Sequence, residues 1–117
     1  MKIEPKTSAV LIVDLQNDFL HPEGAYGRAK QTSPEIAALP ERILPLLNSV
    51  RATGGWIVST QFTLVPGKNG EPFIASHLKK LRPFLKKGDF LPASWGNSLV
   101  DLLQPCLLYT SDAADES

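Results

Sequence analysis

Cysteine is almost missing from this sequence: there is one, Cys106, in 117 residues. A single thiol excludes an internal disulfide framework and suits a reducing compartment, so a cytoplasmic chain is expected. An excess of either charge is missing too, since 12 Lys and Arg balance 12 Asp and Glu. That balance gives no electrostatic footprint for nucleic acid or for an anionic membrane surface. No apolar run approaches the roughly 20 residues of a membrane-spanning helix. The opening Met1-Lys2-Ile3-Glu4-Pro5-Lys6 lacks the apolar core of a secretory signal. The two histidines, His21 and His77, are far apart and lack ligand spacing, so neither a metal nor another cofactor is expected. Five bases do gather, Lys79, Lys80, Arg82, Lys86 and Lys87, and they read as a solvated face.

What is present suffices for one small domain with a modest core, at 43% hydrophobic residues. The chain is organised around Ser8-Ala9-Val10-Leu11-Ile12-Val13-Asp14. A short, unbroken, β-branched run suits a strand buried on both faces, as in the middle of a parallel sheet. Asp14 then falls at the strand's carboxyl end, where open α/β sheets hold ligands. A carboxylate leaving a buried strand is costly unless it is paired. It reads either as a turn or helix-capping Asp or as a catalytic or binding acid.

Residues 15–33 read as a long loop with turn residues Pro22, Glu23 and Gly24, anchored by Phe19 and Tyr26. Pro40 suits the first turn of a helix. Ile43, Leu46, Leu47 and Val50 then form one apolar stripe at 3.6-residue spacing, with Pro45 pointing away. Gly54-Gly55 ends the helix. Trp56 to Phe62 reads as a second strand, so strand, helix and strand make a right-handed βαβ unit with parallel strands. Both strands then deliver their carboxyl ends to one edge, placing Asp14 near Gln61, Phe62 and Thr63. Residues 64–92 are irregular, with a turn expected at Lys68–Glu71 and short helical pieces near Ile74–Leu81. Trp95, Leu99, Leu102 and Leu103 predict a last amphipathic turn or two.

The stretch Val13-Asp14-Leu15-Gln16-Asn17-Asp18-Phe19, with Pro22-Glu23-Gly24, resembles the opening of the isochorismatase-like cysteine hydrolases. These include nicotinamidases, isochorismatases, carbamoyl-amide hydrolases and ureidoacrylate amidohydrolases. The resemblance runs over residues 7–105 and implies an α/β, Rossmann-like three-layer fold with a parallel sheet, here truncated. It implies an Asp, a Lys and a Cys on three successive strand ends. The Cys attacks a carbonyl, the Asp carries the proton to the leaving amine, and the Lys holds the Asp and favours the thiolate. Asp14 matches the acid and is the candidate catalytic residue. Lys86 and Lys87 do not match the lysine, and Cys106 lacks the strand-to-helix setting of the nucleophile. Gln16 and Phe19 fall where the family lines its pocket, and Phe62 is a third candidate for substrate binding. Isochorismatases cleave a vinyl ether without needing the Cys, so the bond type stays open. A small-molecule substrate is implied, and a homo-oligomeric parent is left open.

The tail differs from the rest. Residues 106–117 carry three acids and no base, leaving 12 bases against 9 acids in residues 1–105. Suitable codons turn the run from Cys106 to Glu116 into a string that resembles a transposase adapter of sequencing libraries. Residues 1–105 are therefore expected to be the N-terminal part of one hydrolase domain, and residues 106–117 a non-native tail. With two strands and one good helix, apolar faces stay uncovered, so low solubility is expected. Two other readings stand beside the hydrolase. One is a small non-catalytic α/β module binding a ligand or partner at the Asp14 edge. The other is a phosphatase with Asp14 as phosphoryl acceptor, disfavoured because Gln16 stands where a second acid is wanted.

Overall fold

The computed structural model describes residues 2–106 and 109–112, with side-chain surroundings described for residues 2–104. Three parallel strands, β1 (Ala9–Val13), β2 (Trp56–Gln61) and β3 (Tyr109–Asp112), form a sheet in the order β1-β2-β3. The register of the first pair runs from Ala9↔Trp56 to Val13↔Thr60, so both strands end at one edge, as expected. The connection carries helices α1 (Asn17–Leu20), α2 (Ala25–Arg28), α3 (Pro34–Ala37) and α4 (Leu39–Ala52). A fifth helix, α5 (Ser76–Leu81), follows β2, and a 3-10 turn spans Asp101–Cys106.

The long helix α4 forms where its periodicity predicts. Pro40 occupies the first turn, where its missing N–H leaves no bond unmade. Leu47 and Val50 are buried against Ile12 and Ile57, with Leu99 and Leu103 completing the cluster. The helix stops in a Schellman arrangement. Gly55 N–H donates to Val50 C=O, and Gly54 N–H donates to Arg51 C=O. Gly54 has φ +85°, a conformation that costs glycine little. Leu46, expected in the apolar stripe, is instead exposed. It turns toward a groove of about 300 Å³ that it shares with Leu11, Val13 and Leu39.

That groove corrects a second expectation. β1 is not buried on both faces: Val10 and Ile12 pack on the core, whereas Leu11 is 59% and Val13 55% exposed. Successive side chains of a strand point to opposite faces, and α4 covers only one of them. Among the described residues no helix covers the Leu11 and Val13 face, so the third layer is not among them. The double substitution of Leu11 and Val13 to Thr should therefore leave stability within about 1 kcal/mol, since Thr keeps the strand preference. It should also reduce self-association, read as a flatter concentration dependence of light scattering.

Residues 15–33 are more ordered than a loop, holding α1 and α2. A Cβ at Gly24 would strike the backbone of Asn17 and Asp18, which accounts for glycine in the Pro22-Glu23-Gly24 turn. The expected turn near Lys68 is present, with Gly70 N–H donating to Gly67 C=O and Gly70 at φ +78°. Helix α5 falls within Ile74–Leu81. The expected amphipathic turns from Trp95 are replaced by tight turns and the 3-10 segment. Leu99 and Leu103 are buried there, while Trp95 and Leu102 stay exposed.

β3 lies inside the acidic tail. It pairs with β2 from Val58↔Tyr109 to Gln61↔Asp112. The unpaired peptide groups of a strand edge accept any backbone, whatever side chains it carries. Leu107, Leu108 and residues 113–117 lie outside the described residues, and so does the side chain of Cys106, the one candidate thiol.

Candidate active site

β1 ends by turning a corner. Asp14 has φ +58°, the left-handed region that Asp tolerates better than most residues. Its N–H still donates to Thr60 C=O at 3.2 Å, so the ladder extends to the corner. Its carboxylate Oδ1 accepts a hydrogen bond from Thr60 Oγ1 at 3.0 Å. Thr60, paired with Val13 at the end of β2, thus fixes one carboxylate oxygen. Asp14 then opens on a cleft of about 430 Å³, lined by Phe19, Leu20, Tyr26, Gln31, Ile36 and Arg82 among others. A mostly apolar hollow with a few convergent polar groups is the usual form of a small-molecule site.

The aromatic wall comes from three segments. The Phe19 ring lies 4.5 Å from that of Phe90 and 4.8 Å from that of Tyr26. Phe62 packs behind, 5.9 Å from Phe19 and 5.1 Å from Phe90. Phe19 therefore stands on the wall of the cleft, whereas Phe62 packs behind it.

Gln16, the other residue expected on the pocket wall, stands elsewhere. It is fully buried, and its amide is committed to backbone. Nε2 donates to Phe62 C=O at 2.9 Å and to Asn97 C=O at 2.8 Å, while Oε1 accepts from Phe62 N–H at 2.7 Å. Its neighbours in the motif behave alike. Asn17 Nδ2 donates to Trp95 C=O at 2.8 Å. The buried Asp18 carboxylate accepts from Ala25 N–H at 2.8 Å and from Phe90 N–H at 2.7 Å. Buried polar groups need such partners, and here they fasten two loops to the end of β1. Of the two acids in the motif, Asp14 faces the cleft and Asp18 is tied into backbone.

Sequence reasoning missed Thr60, Asp18, Asn97 and Arg82. Asn97 Nδ2 donates to Phe62 C=O and to Thr63 Oγ1, and its Oδ1 accepts from Gln61 Nε2. Gln61 lies beside Asp14 in the strand register, and its side-chain amide is turned to Asn97. Arg82, expected on a solvated face with the lysines, is half-buried at the cleft. Lys79, Lys80, Lys86 and Lys87 are exposed as expected. His21 Nδ1 accepts from Glu23 N–H at 3.0 Å, a local turn contact. The buried Asp89 pairs with Arg28 of α2 at 2.7 Å.

Comparison with known proteins bears on the same residues. No curated protein matches the chain closely enough to count as a relative. Solved structures of several hydrolases share its fold. A cysteine hydrolase from Pseudomonas syringae pv. phaseolicola has 19% identity and a TM-score of 0.63 over 93% of this chain and 48% of its own. An isochorismatase-like hydrolase from Alkaliphilus metalliredigens has 18% identity and a TM-score of 0.58 over 93% of this chain and 51% of its own. The yeast nicotinamidase Pnc1p has 21% identity and a TM-score of 0.51 over 95% of this chain and 60% of its own. The chain thus spans about half the length of the structures it matches. The Isochorismatase domain model matches residues 8–108, which takes in β1, the corner at Asp14 and the loops that Gln16 and Asp18 fasten. With that match over most of its length, the chain belongs to the isochorismatase family of hydrolases.

Proposed function

We propose that this chain supplies the acid-bearing half of an active site that hydrolyses a C–N amide or carbamoyl bond of a small molecule. The observation that carries the reading is Asp14. It is a carboxylate at the carboxyl end of β1, fixed through one oxygen by Thr60, and it opens on a cleft of small-molecule size. A carboxylate held through one oxygen keeps the other for a proton in transit.

In the proposed reaction a cysteine thiol loses its proton to Asp14, and the thiolate adds to the amide carbon. Asp14 returns the proton to the leaving nitrogen as the thioester forms. Water then releases the acid and restores the thiol. The thiol and a lysine beside Asp14 are assigned to strands that follow Pro105 in the natural reading frame. Family membership and the likeness to a cysteine hydrolase and a nicotinamidase support the class of bond. The 117-residue chain alone is expected to be silent, because no amide carbonyl of ordinary reactivity yields to Asp14 without a nucleophile.

The test is to read the source DNA past Pro105, express the extended chain, and follow ammonia release from small primary amides. The expected result is a lysine-bearing strand soon after Pro105 and a cysteine at a strand-to-helix junction, with activity in the extended chain only. Hydrolysis by the 117-residue chain would overturn the proposal. So would an intact frame without lysine and thiol, which would favour a binding module instead.

A further inference from the structure

β1 is an edge strand, and its outer edge is bare. Trp56 N–H donates to Ser8 C=O at 3.1 Å, and Asp14 N–H donates to Thr60 C=O at 3.2 Å. Backbone groups alternate sides along a strand, so Val10 and Ile12 also turn theirs to β2. The N–H and C=O groups of Ala9, Leu11 and Val13 point the other way. Among the described residues none has a hydrogen-bond partner there. Proteins normally guard such an edge with charge, proline or a bulge. Ala9–Val13 has no charge and no proline, and its ladder with β2 runs without a break. β3, at the opposite edge, is shorter and ends in an acid, Asp112.

The same edge carries an uncovered apolar surface. Leu11 and Val13 stand there beside Leu39 and Leu46 of α4, all four exposed. The groove they share is lined by Leu, Ile and Val alone, so a charged or polar partner finds nothing to pair with. What fits is an uncharged aliphatic strand with an aliphatic helix beside it, and a second copy of this chain supplies both. The backbone is self-complementary as well. The outward groups belong to residues 9, 11 and 13, spaced evenly about Leu11. An antiparallel copy with its Leu11 opposite Leu11 sets Ala9 opposite Val13, and each opposed pair exchanges two hydrogen bonds. Opposed residues project to the same face of a sheet. Both α4 helices then lie on one face, with Leu39, Ile43 and Leu46 of each turned toward the other.

We infer that β1 is a dimerisation edge, where two copies of this chain join antiparallel through Ala9–Val13 about a two-fold axis at Leu11. The two sheets become one, and an isologous contact of this kind closes at two copies. The patch is small, below about 1,200 Å² in all, so a reversible dimer with a Kd of about 10–100 μM is expected. The inference uses neither Asp14 nor its cleft, so it stands or falls apart from the proposed hydrolysis.

The test places a cysteine at Leu11 or at Val13 in the 117-residue chain carrying Cys106→Ser. In the inferred register two Leu11 Cα atoms lie about 5.5 Å apart, within the disulfide range of about 4.4–6.8 Å. Two Val13 Cα atoms lie about 14 Å apart. Under mild oxidation Leu11→Cys should therefore give about tenfold more linked dimer than Val13→Cys, although the two positions are similarly exposed. Sedimentation equilibrium of the parent should show a two-copy species that grows no further with concentration. Leu11→Lys sets like charges across the axis and should weaken that species about tenfold or more. Should Leu11→Lys lose the dispersed amide spectrum of the parent, the cysteine comparison decides alone. A parent that stays monomeric up to about 500 μM would overturn the inference. So would a mass that rises without limit, or equal linking at the two positions.

Discussion

Asp14→Asn, made in the longer chain proposed above, is expected to lower kcat/KM for a small amide about a thousandfold and to leave stability nearly unchanged. The two halves of that expectation come from different atoms. Asn has the shape of Asp and tolerates the left-handed corner at φ +58°. Its side-chain oxygen still accepts from Thr60 Oγ1, and its N–H still donates to Thr60 C=O. What it loses is the ability, under the proposed reaction, to take a proton from a thiol and return it to the leaving nitrogen. General acid–base assistance of this kind is worth roughly a hundred- to ten-thousandfold, so a thousandfold loss corresponds to about 4 kcal/mol in the barrier. Steady-state ammonia release and a urea melt of the same preparation separate the two effects. A variant within tenfold of the parent rate would show that Asp14 does not carry the proton.

Asp18→Ala has the opposite signature, a loss of fold. The carboxylate lies in a site that is nearly closed to water. Its two oxygens take the N–H groups of Ala25 and Phe90, joining α2 and the 89–97 loop to the end of β1. A Cβ at Gly96 would run into this carboxylate, so the Gly96 backbone packs directly against it. Removing it strands two buried donors, which costs about 3 kcal/mol or more. Phe90 adds to the loss. Its backbone sits at φ +53°, which a non-glycine residue adopts only when held there, and Asp18 is the group that holds its N–H. Domains of this size hold about 5–15 kcal/mol in all, so a large share of the margin would go. The expected readout is collapse of amide dispersion and of the urea midpoint in the 117-residue chain. Asp18→Asn, which keeps one acceptor and turns a donor toward the other N–H, should fall between. A parent-like urea midpoint for Asp18→Ala would mean that the two N–H groups find other acceptors.

These two acids, four residues apart, show which parts of the molecule were legible in the sequence. The β1–α4–β2 unit was, because its signals are periodic: an unbroken β-branched run, a 3.6-residue stripe, and a paired glycine stop. Asp14 was legible as well, because a strand end has a fixed direction in a parallel sheet. The roles of Gln16 and Asp18 were not. A polar side chain next to a strand end looks the same whether it faces a ligand or a backbone amide. That difference is settled by segments some fifty to eighty positions away, around Phe62, Phe90 and Asn97. Leu11 and Val13 were misread for a related reason. An apolar run has one appearance whether one face is covered or two. Arg82 was hidden among four exposed lysines, and only the position of Tyr26 distinguishes it.

The left-handed corner at Asp14 also limits what laboratory evolution could do with this scaffold. Libraries randomised at that codon would return little beyond Asp, Asn and Gly, since a branched or bulky residue strains the backbone there before any chemistry is tried. New specificities would have to be recruited from Gln31, Ile36 and Arg82, whose backbones are ordinary and whose side chains stand at the cleft's margin. The site thus separates an almost immutable position from a permissive border, and a selection scheme should spend its diversity on the border.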